Sequence, residues 1–437
     1  MTTTQPHLEF AAPRHETVVV STLRTTGIGV FLCLLGVLCA LGFGVDVGPN
    51  VVASFTVNYA TSNLVSAFTV HTEWVSIALG GLCLLLGIFL IIRPRFRFPV
   101  ILLSVGFLAT LFCLLMWAQR STPDLPMSLG GFVTGSLSYA TILIFGSLSG
   151  AMCERSGVVN IAIEGQFLAG AFCGSLVGSA VGNAASVDMG YLAGGVAGIA
   201  IGALFGAILA YFALRFGANQ IIVGIVLVLL ATGLTGYLNF QILDVYQNLN
   251  AGNVALPIGI PYLDQIPLLG PALFDQNVYA YIADVLVVVV SFALFRTRWG
   301  LRVRAVGEHP KAAETVGINV IRTRYKSVIL GGAIAGLGGA YYTLGLAGGF
   351  SPGLTGGLGY IALAVMIFGQ WRPYRCLGAA ALFGSMFVLQ NYLQVYNTGI
   401  NNALLVMLPY LVTIVVVTGL VGRVRPPAAD GIPYSRE

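Results

Sequence analysis

The sequence predicts an all-α polytopic membrane protein with about 12 transmembrane helices. Only 8% of the 437 residues are charged and 57% are hydrophobic, whereas a water-soluble domain carries about 25% charged residues. The apolar residues also form long blocks, and a helix needs about 20 of them to cross the hydrocarbon core. A membrane β-barrel would show short alternating segments instead. The outer surface of the chain therefore faces lipid through helices.

The apolar blocks divide the chain into four parts. Residues 1–24 are polar and of mixed charge, so they are expected to be a cytoplasmic tail before an uncleaved span, unlike a signal peptide. Residues 25–120 hold three spans, 128–422 hold the others, and 423–437 form a cytoplasmic C-terminal tail. The tenth span is short and is expected to be re-entrant or broken. The spans are predicted at 27–45, 75–92, 99–118, 129–150, 166–184, 190–214, 219–239, 279–295, 327–346, 357–371, 376–394 and 403–421.

Lysine and arginine orient these spans, because both residues accumulate in cytoplasmic loops. The segment 296–326 holds eight of the 21 basic residues, whereas 46–74 and 241–278 hold none. An even number of spans with both termini in the cytoplasm agrees with this distribution, and Arg120 is the exception. The other basic positions that fit are Arg93, Arg95, Arg97, Arg372, Arg375, Arg423 and Arg425.

The longest external segment, 241–278, contains four prolines and three aspartates. Prolines at this density predict extended and turn structure and argue against another helix. The segment is either a plain connection or a periplasmic cap that receives a solute-binding protein.

The segment 150–165, GAMCERSGVVNIAIEG, places polar residues between two apolar blocks. Asn160 and Glu164 lie among valines and isoleucines, and polar groups within membrane segments tend to be functional. We therefore predict that both lie near the solute path. Glu154 and Arg155 are equally compatible with a function and with a solvated cytoplasmic turn.

The segment 348–359, GGFSPGLTGGLG, is the second interruption. Irregular backbone at membrane depth is tolerated only where it is buried in protein or lines a cavity. Interrupted segments are also the best sequence indicator of a transporter's solute path. Phe350 and Ser351 are therefore candidate path residues, with a flexible external loop as the alternative.

A third segment, 302–319, reads RVRAVGEHPKAAETVGIN in the basic loop. Pro310 suits the first turn of a helix and Gly317 suits its end. The pattern predicts a helix of about two turns with Ala312 and Ala313 on its surface, able to dock into another protein. The alternative is a solvated basic loop.

Several classes of site are missing from the sequence. A phosphate-binding Walker A loop needs Gly-Lys-Ser/Thr, but the lysines are Lys311 and Lys326, and neither follows a glycine. The seven cysteines form no CxxC pair and the four histidines are scattered, so neither a disulfide framework nor a metal site is predicted. We expect no enzyme activity, no bound cofactor and no nucleic-acid polymer as a partner.

The segments 154–165 and 300–319 resemble the nucleoside and simple-sugar permeases of ATP-binding cassette (ABC) importers, within the branched-chain amino acid and ribose permease group. The runs IAGLGGA at 334–340 and GYIALAVMIFG at 359–369 resemble them too. The resemblance covers about 130–422, which implies a permease core at 128–422 preceded by three additional helices.

The resemblance implies a division of labour in a bacterial plasma (inner) membrane. ABC ATPase subunits would hydrolyse ATP with Mg, a second and different permease would complete the pore, and a periplasmic or lipid-anchored protein would deliver the small-molecule solute. The ATPase would bind the coupling helix, whose residues would be Glu308, His309, Pro310, Ala312, Ala313 and Gly317.

Two other functions remain open at the level of the sequence. An ion-coupled secondary transporter acting without an ATPase would use membrane-embedded acids, for which Asp284 and Glu164 are the candidates. A structural membrane subunit or channel would need neither the coupling segment nor a solute cavity.

Overall fold

The computed structural model describes residues 14–45, 51–57, 67–96, 98–121, 125–251, 254–396, 398–415 and 425–434. The strands are β1 (Val52–Thr56), β2 (Phe68–His71), β3 (Met127–Ser128), β4 (Pro257–Gly259) and β5 (Asp275–Asn277). The helices are α1 (Arg14–Val37), α2 (Thr72–Ile92), α3 (Pro99–Ala118), α4 (Leu129–Glu154), α5 (Ile163–Ala184), α6 (Val187–Arg215), α7 (Gln220–Leu238), α8 (Leu269–Phe274), α9 (Val278–Arg296), α10 (Arg298–Glu308), α11 (Pro310–Thr315), α12 (Val320–Tyr341), α13 (Leu358–Phe368), α14 (Pro373–Val395), α15 (Asn402–Val406) and α16 (Leu408–Val415).

Ten helices of the described residues are long and apolar enough to cross a membrane, which confirms the polytopic all-α fold. The tenth predicted span, 357–371, is the short helix α13 of 11 residues. The twelfth, 403–421, begins as α15 and α16, and its residues after 415 lie outside the described part of the chain. The difference from the predicted count arises at these two segments.

The centre of the fold is a set of closely packed helices, α5, α6 and α12. A side chain on Gly336 of α12 would place its Cβ 2.0 Å from the carbonyl oxygen of Gly198 on α6. Small residues of this kind let membrane helices approach at backbone distance. Helix α4 packs against both α12 and α14.

The three N-terminal helices form a unit that packs on the core through α3, α4 and α14. Its connecting segments pair as a small sheet in the order β2-β1-β3, with β1 antiparallel to β2 and parallel to β3. No pattern in the sequence indicated this sheet. The buried side chains of Phe55 and Met127 place the sheet against the helices.

The segment 241–278, which was predicted to be external, is largely extended and turned, as its prolines predict. Strands β4 and β5 pair antiparallel within it. The expectation of no further helix is wrong, because the segment contains a 3-10 helical turn, Gln247–Asn250, and the six-residue helix α8, which lies between these strands. Helix α8 packs against α4, so part of the segment covers the core.

Candidate functional site

The candidate site is a membrane span that is interrupted halfway. Helix α12 ends in a π-helical turn, Tyr342–Ala347, and the chain re-enters regular structure only at α13. The 11 residues of α13 rise about 16 Å, about half of a hydrocarbon core of about 30 Å. Irregular backbone over 348–357 therefore occupies the other half of this crossing.

Glu164, at the start of α5, binds the broken segment directly. Its Oε1 accepts hydrogen bonds from Thr355 Oγ1 at 2.6 Å and from the Gly357 amide at 2.9 Å. Its Oε2 accepts one from the Gly359 amide at 2.7 Å. The side chain is 6% exposed. A carboxylate thus caps the N-terminus of α13, where the helix dipole favours negative charge.

The contact between α5 and α13 is too close for any side chain at Gly359. A Cβ there would lie 2.5 Å from the Glu164 amide nitrogen and 2.8 Å from Oε2. Glycine at this position is therefore required by the approach of the two helices. The two interruptions found in the sequence form one structural unit.

Phe350, at the other end of the irregular segment, is buried in contact with α5. Its ring meets Phe172 edge-on at a centroid distance of 5.4 Å. Asn250 donates to the Phe350 carbonyl at 2.9 Å and accepts from its amide at 2.7 Å. Asn250 also accepts from Ser175 Oγ at 2.6 Å. Ser351 is exposed.

The irregular segment therefore follows α5 through part of the membrane. Phe172 is eight residues after Glu164 on the same helix, a rise of about 12 Å. Contacts at these two levels hold residues 350–359 against α5. Asn250 was not identified from the sequence, because its partner lies 100 residues away and an asparagine in a loop gives no signal.

Asn160 lies apart from these residues, in a buried polar cluster. Its Nδ2 donates to Ser149 Oγ at 3.3 Å and to Gln166 Oε1 at 3.1 Å. Within the described part of the chain, Asn160 Oδ1 and Gln166 Nε2 have no hydrogen-bond partner. Asn160 and Gln166 are completely buried, so this cluster keeps unused polar capacity inside the core, namely one acceptor oxygen and one donor nitrogen without a hydrogen-bond partner.

Glu154 and Arg155 hold the loop between α13 and α14. Glu154 Oε2 accepts from Trp371 Nε1 at 2.6 Å, and Arg155 donates to the Gln370 carbonyl at 3.2 Å. Because Glu154 is 6% exposed, the solvated-turn alternative is wrong for it. Burial lowers the pKa of Arg155, and the nearby charge of Glu308 opposes that change.

The predicted coupling helix is α11, which begins at Pro310 and is followed by Gly317 at φ +83°. Ala312 is exposed as predicted, but Ala313 is 4% exposed and packs with Val306 and Val320. The expectation that both alanines lie on the surface is therefore wrong for Ala313. A six-residue helix shows too little periodicity for the sequence to reveal its inner face.

The remaining predicted coupling residues surround α11. Glu308 and His309 are exposed, and Pro310 is half-buried. The exposed face also includes Val316, which is 75% exposed.

The ends of several elements meet at what we call the basic end, formed by 155–162, 297–319, 369–372 and 425–434. Arg324 is completely buried there and donates to the Ser156 carbonyl at 3.0 Å and to the Ile432 carbonyl at 3.2 Å. Burial raises the pKa of Asp430 to about 7, against the lowering effects of a hydrogen bond with Glu154 and the charge of Arg324.

This arrangement defines the class of protein. The described residues contain ten helices that are long and apolar enough to cross a membrane, one interrupted span packed against α5, and an exposed helix at the basic end. These are features of a transporter's membrane subunit. Among the described residues, no group of three or more His, Cys, Asp or Glu side chains could hold a metal ion.

Residues 132–417 match the family described as branched-chain amino acid transport system permease component. The chain therefore belongs to this family of permease subunits, which confirms the resemblance seen in the sequence. It is 38% identical to the guanosine ABC transporter permease protein NupQ of Bacillus subtilis, over 71% of this chain and 98% of that protein.

Two further relatives are similar over nearly their whole lengths. The nucleoside ABC transporter permease protein NupC of Lactococcus lactis is 37% identical, over 69% of this chain and 96% of its own. The putative glucose ABC transporter permease protein TsgC13 of Haloferax volcanii is 35% identical, over 70% of this chain and 98% of its own. No solved structure matches the chain.

Proposed function

We propose that this permease translocates nucleosides or related small sugar-containing solutes as the membrane-spanning subunit of an ABC importer. The observation that carries the proposal is its identity of 37–38% to a guanosine permease and a nucleoside permease over nearly all of their lengths. Similarity to a putative glucose permease keeps simple sugars within the solute class.

The charge at the broken span supports an uncharged solute. The N-terminus of a half-helix is a common binding place for the anionic group of a substrate. In this protein Glu164 already occupies the N-terminus of α13. A second anion at that place would meet a like charge, whereas a neutral nucleoside would not.

The candidate path runs along α5. Glu164 and Phe350 fix the irregular segment at two levels, Ser351 is exposed beside it, and Asn160 offers unused polar capacity nearer the basic end. We propose that these four residues line or support the path. Alternating access would reorient this segment relative to α5.

The proposed partners follow from the role of a permease subunit. An ATPase that binds ATP and Mg would dock on the exposed face of α11, and a second, different permease would complete the pore. A periplasmic or lipid-anchored binding protein would meet the external segment, where Leu256 and Tyr262 are 68% and 86% exposed. The basic end and both termini would be cytoplasmic, in a bacterial plasma membrane.

The geometry favours this function over an ion-coupled transporter. Asp284 is exposed on α9, and both oxygens of Glu164 accept hydrogen bonds from the protein. Neither acid therefore forms a pocket for a coupling ion.

The test is purification of the tagged chain from native membranes in mild detergent, followed by mass spectrometry. Recovery of an ATPase and a second permease would support the proposal. Recovery of this chain alone, under conditions that preserve a known ABC complex, would refute it.

A further inference from the structure

We propose that residues 425–434, which we call the C-terminal strap, transmit movement between the coupling helix and the membrane core. This inference rests on the proposed function, because it assigns the strap a place in the coupling of ATP hydrolysis to transport. The sequence predicts only a cytoplasmic tail in this region. The structure places the strap in contact with both the coupling segment and the turn after α4.

The first set of contacts ties the strap to α10 and α11. The Ala429 amide donates to the Gly307 carbonyl at 2.9 Å, and the Ala428 amide donates to Glu308 Oε2 at 3.3 Å. The Tyr434 hydroxyl donates to Glu314 Oε2. Three hydrogen bonds thus hold both the end of α10 and the helix α11.

Tyr434 also adds an apolar contact on the same side. Its ring packs against the small cluster that holds Ala313 beneath α11. It lines, with Glu314 and Ile318, a groove between α11 and the start of α12. A force on α11 therefore acts on the strap through side-chain packing as well as hydrogen bonds.

The second set of contacts ties the strap to the core through Arg324. This buried guanidinium group donates to the Ile432 carbonyl of the strap at 3.2 Å and to the Ser156 carbonyl at 3.0 Å. Asp430 lies close to Arg324 and to the carboxyl group of Glu154, and both groups influence its pKa. Ser156 belongs to the turn between α4 and α5. Helix α5 binds the broken span through Glu164.

A path of direct contacts therefore joins α11 to the candidate site. It passes from Glu314 through the strap and Arg324 to Ser156 in the turn after α4, and then along that turn to Glu164 at the start of α5. The chain joins α11 to α10 through His309 and to α12 through residues 316–319, and Ala313 packs against both neighbours through Val306 and Val320. The strap adds an attachment that bridges α11 and the turn after α4, which makes the two move together.

The test uses the complete complex, reconstituted in lipid vesicles with its ATPase, second permease and binding protein. ATP hydrolysis and nucleoside uptake are measured in the same vesicles for a chain ending at Val424 and for a control ending at Tyr434. We expect the shorter chain to assemble and to hydrolyse ATP. It should use at least about fivefold more ATP per solute than the control, a factor at the lower end of those that coupling between two sites typically produces.

Two point variants provide an independent test if the shorter chain fails to assemble. Tyr434→Phe and Glu314→Gln each disturb the same hydrogen bond, so we expect each to raise the ATP used per solute. The double variant should add little to either change. Tyr374→Phe, at a 60% exposed tyrosine of the same end, is the matched control.

The outcomes separate this inference from the proposed function. An unchanged ratio of ATP to solute in the shorter chain and in both point variants would overturn the role of the strap. A wild-type complex that neither contains an ATPase nor transports nucleosides would instead overturn the proposed function.

Discussion

Glu164 is expected to hold the broken span in place, and replacing it with glutamine tests this directly. Glutamine has the same shape, but it offers one acceptor oxygen where Glu164 uses two. Its amide group would face either the Gly359 amide or the donors of Thr355 and Gly357. At least one hydrogen bond to a charged group is lost, at a cost of about 1.5–3 kcal/mol.

The loss of negative charge at the start of α13 adds a second cost. A charge at a helix N-terminus contributes about 0.3–1 kcal/mol, and up to about 2 kcal/mol where it is partly buried. The two contributions together give about 2–4 kcal/mol against local opening of the segment 353–359. Because about 1.36 kcal/mol corresponds to a factor of ten, backbone amides there should exchange about 30- to 1000-fold faster.

Hydrogen–deuterium exchange with mass spectrometry of the purified protein measures this change, and solute uptake follows its consequence. Asp188→Asn is the matched control, since Asp188 also lies in the first turn of a helix but its hydrogen bond is exposed. Unchanged exchange over 353–359 in Glu164→Gln would refute the role of Glu164 in holding the broken span. Normal uptake kinetics of the same variant would refute the place of Glu164 in the solute path.

Three further predictions concern the coupling helix, the strap and the core. Ala312→Arg should leave the protein in the membrane but reduce recovery of the ATPase by affinity purification. Ala313→Arg should instead reduce the amount of folded protein, because it buries a charge, and equal behaviour of the two variants would contradict the orientation of α11. Burial raises the pKa of Asp430 from 3.8 to about 7, so docking of the strap should weaken as pH rises from about 4 to about 7. Proteolysis of the C-terminus should therefore be faster at pH 8 than at pH 5, and Asp430→Asn should remove that difference. Gly336→Leu should prevent close packing of α6 and α12 and abolish expression in the membrane. The control Gly233→Leu should be expressed normally, because nothing lies within 4 Å of a Cβ at that position, and normal expression of both variants would contradict the packing.

The sequence predicted features that depend on nearby residues. Apolar length located the spans, and Pro310 and Gly317 marked the ends of the coupling helix, because each acts on its own turn of backbone. The irregular character of 348–359 was also visible, since glycine and proline interrupt an apolar block there.

Features that depend on distant pairs could not be predicted. Glu164 binds backbone amides almost 200 residues later in the chain, and glycine amides carry no side-chain signal for such a contact. The strap is a short run of proline, alanine and polar residues, so its contacts with Arg324 and Glu314 depend entirely on the folded core. The buried face of α11 follows from Val306 and Val320, which belong to neighbouring helices.

ATP-dependent nucleoside uptake by the reconstituted complex is the measurement that tests the central claim most directly. Vesicles containing this chain, its ATPase and its second permease would hold ATP on the side of the ATPase, with labelled guanosine and the binding protein on the other. We predict uptake that requires hydrolysable ATP and persists when ionophores collapse the ion gradients. Uptake driven by an ion gradient without ATP, or no uptake of any nucleoside, would contradict the account.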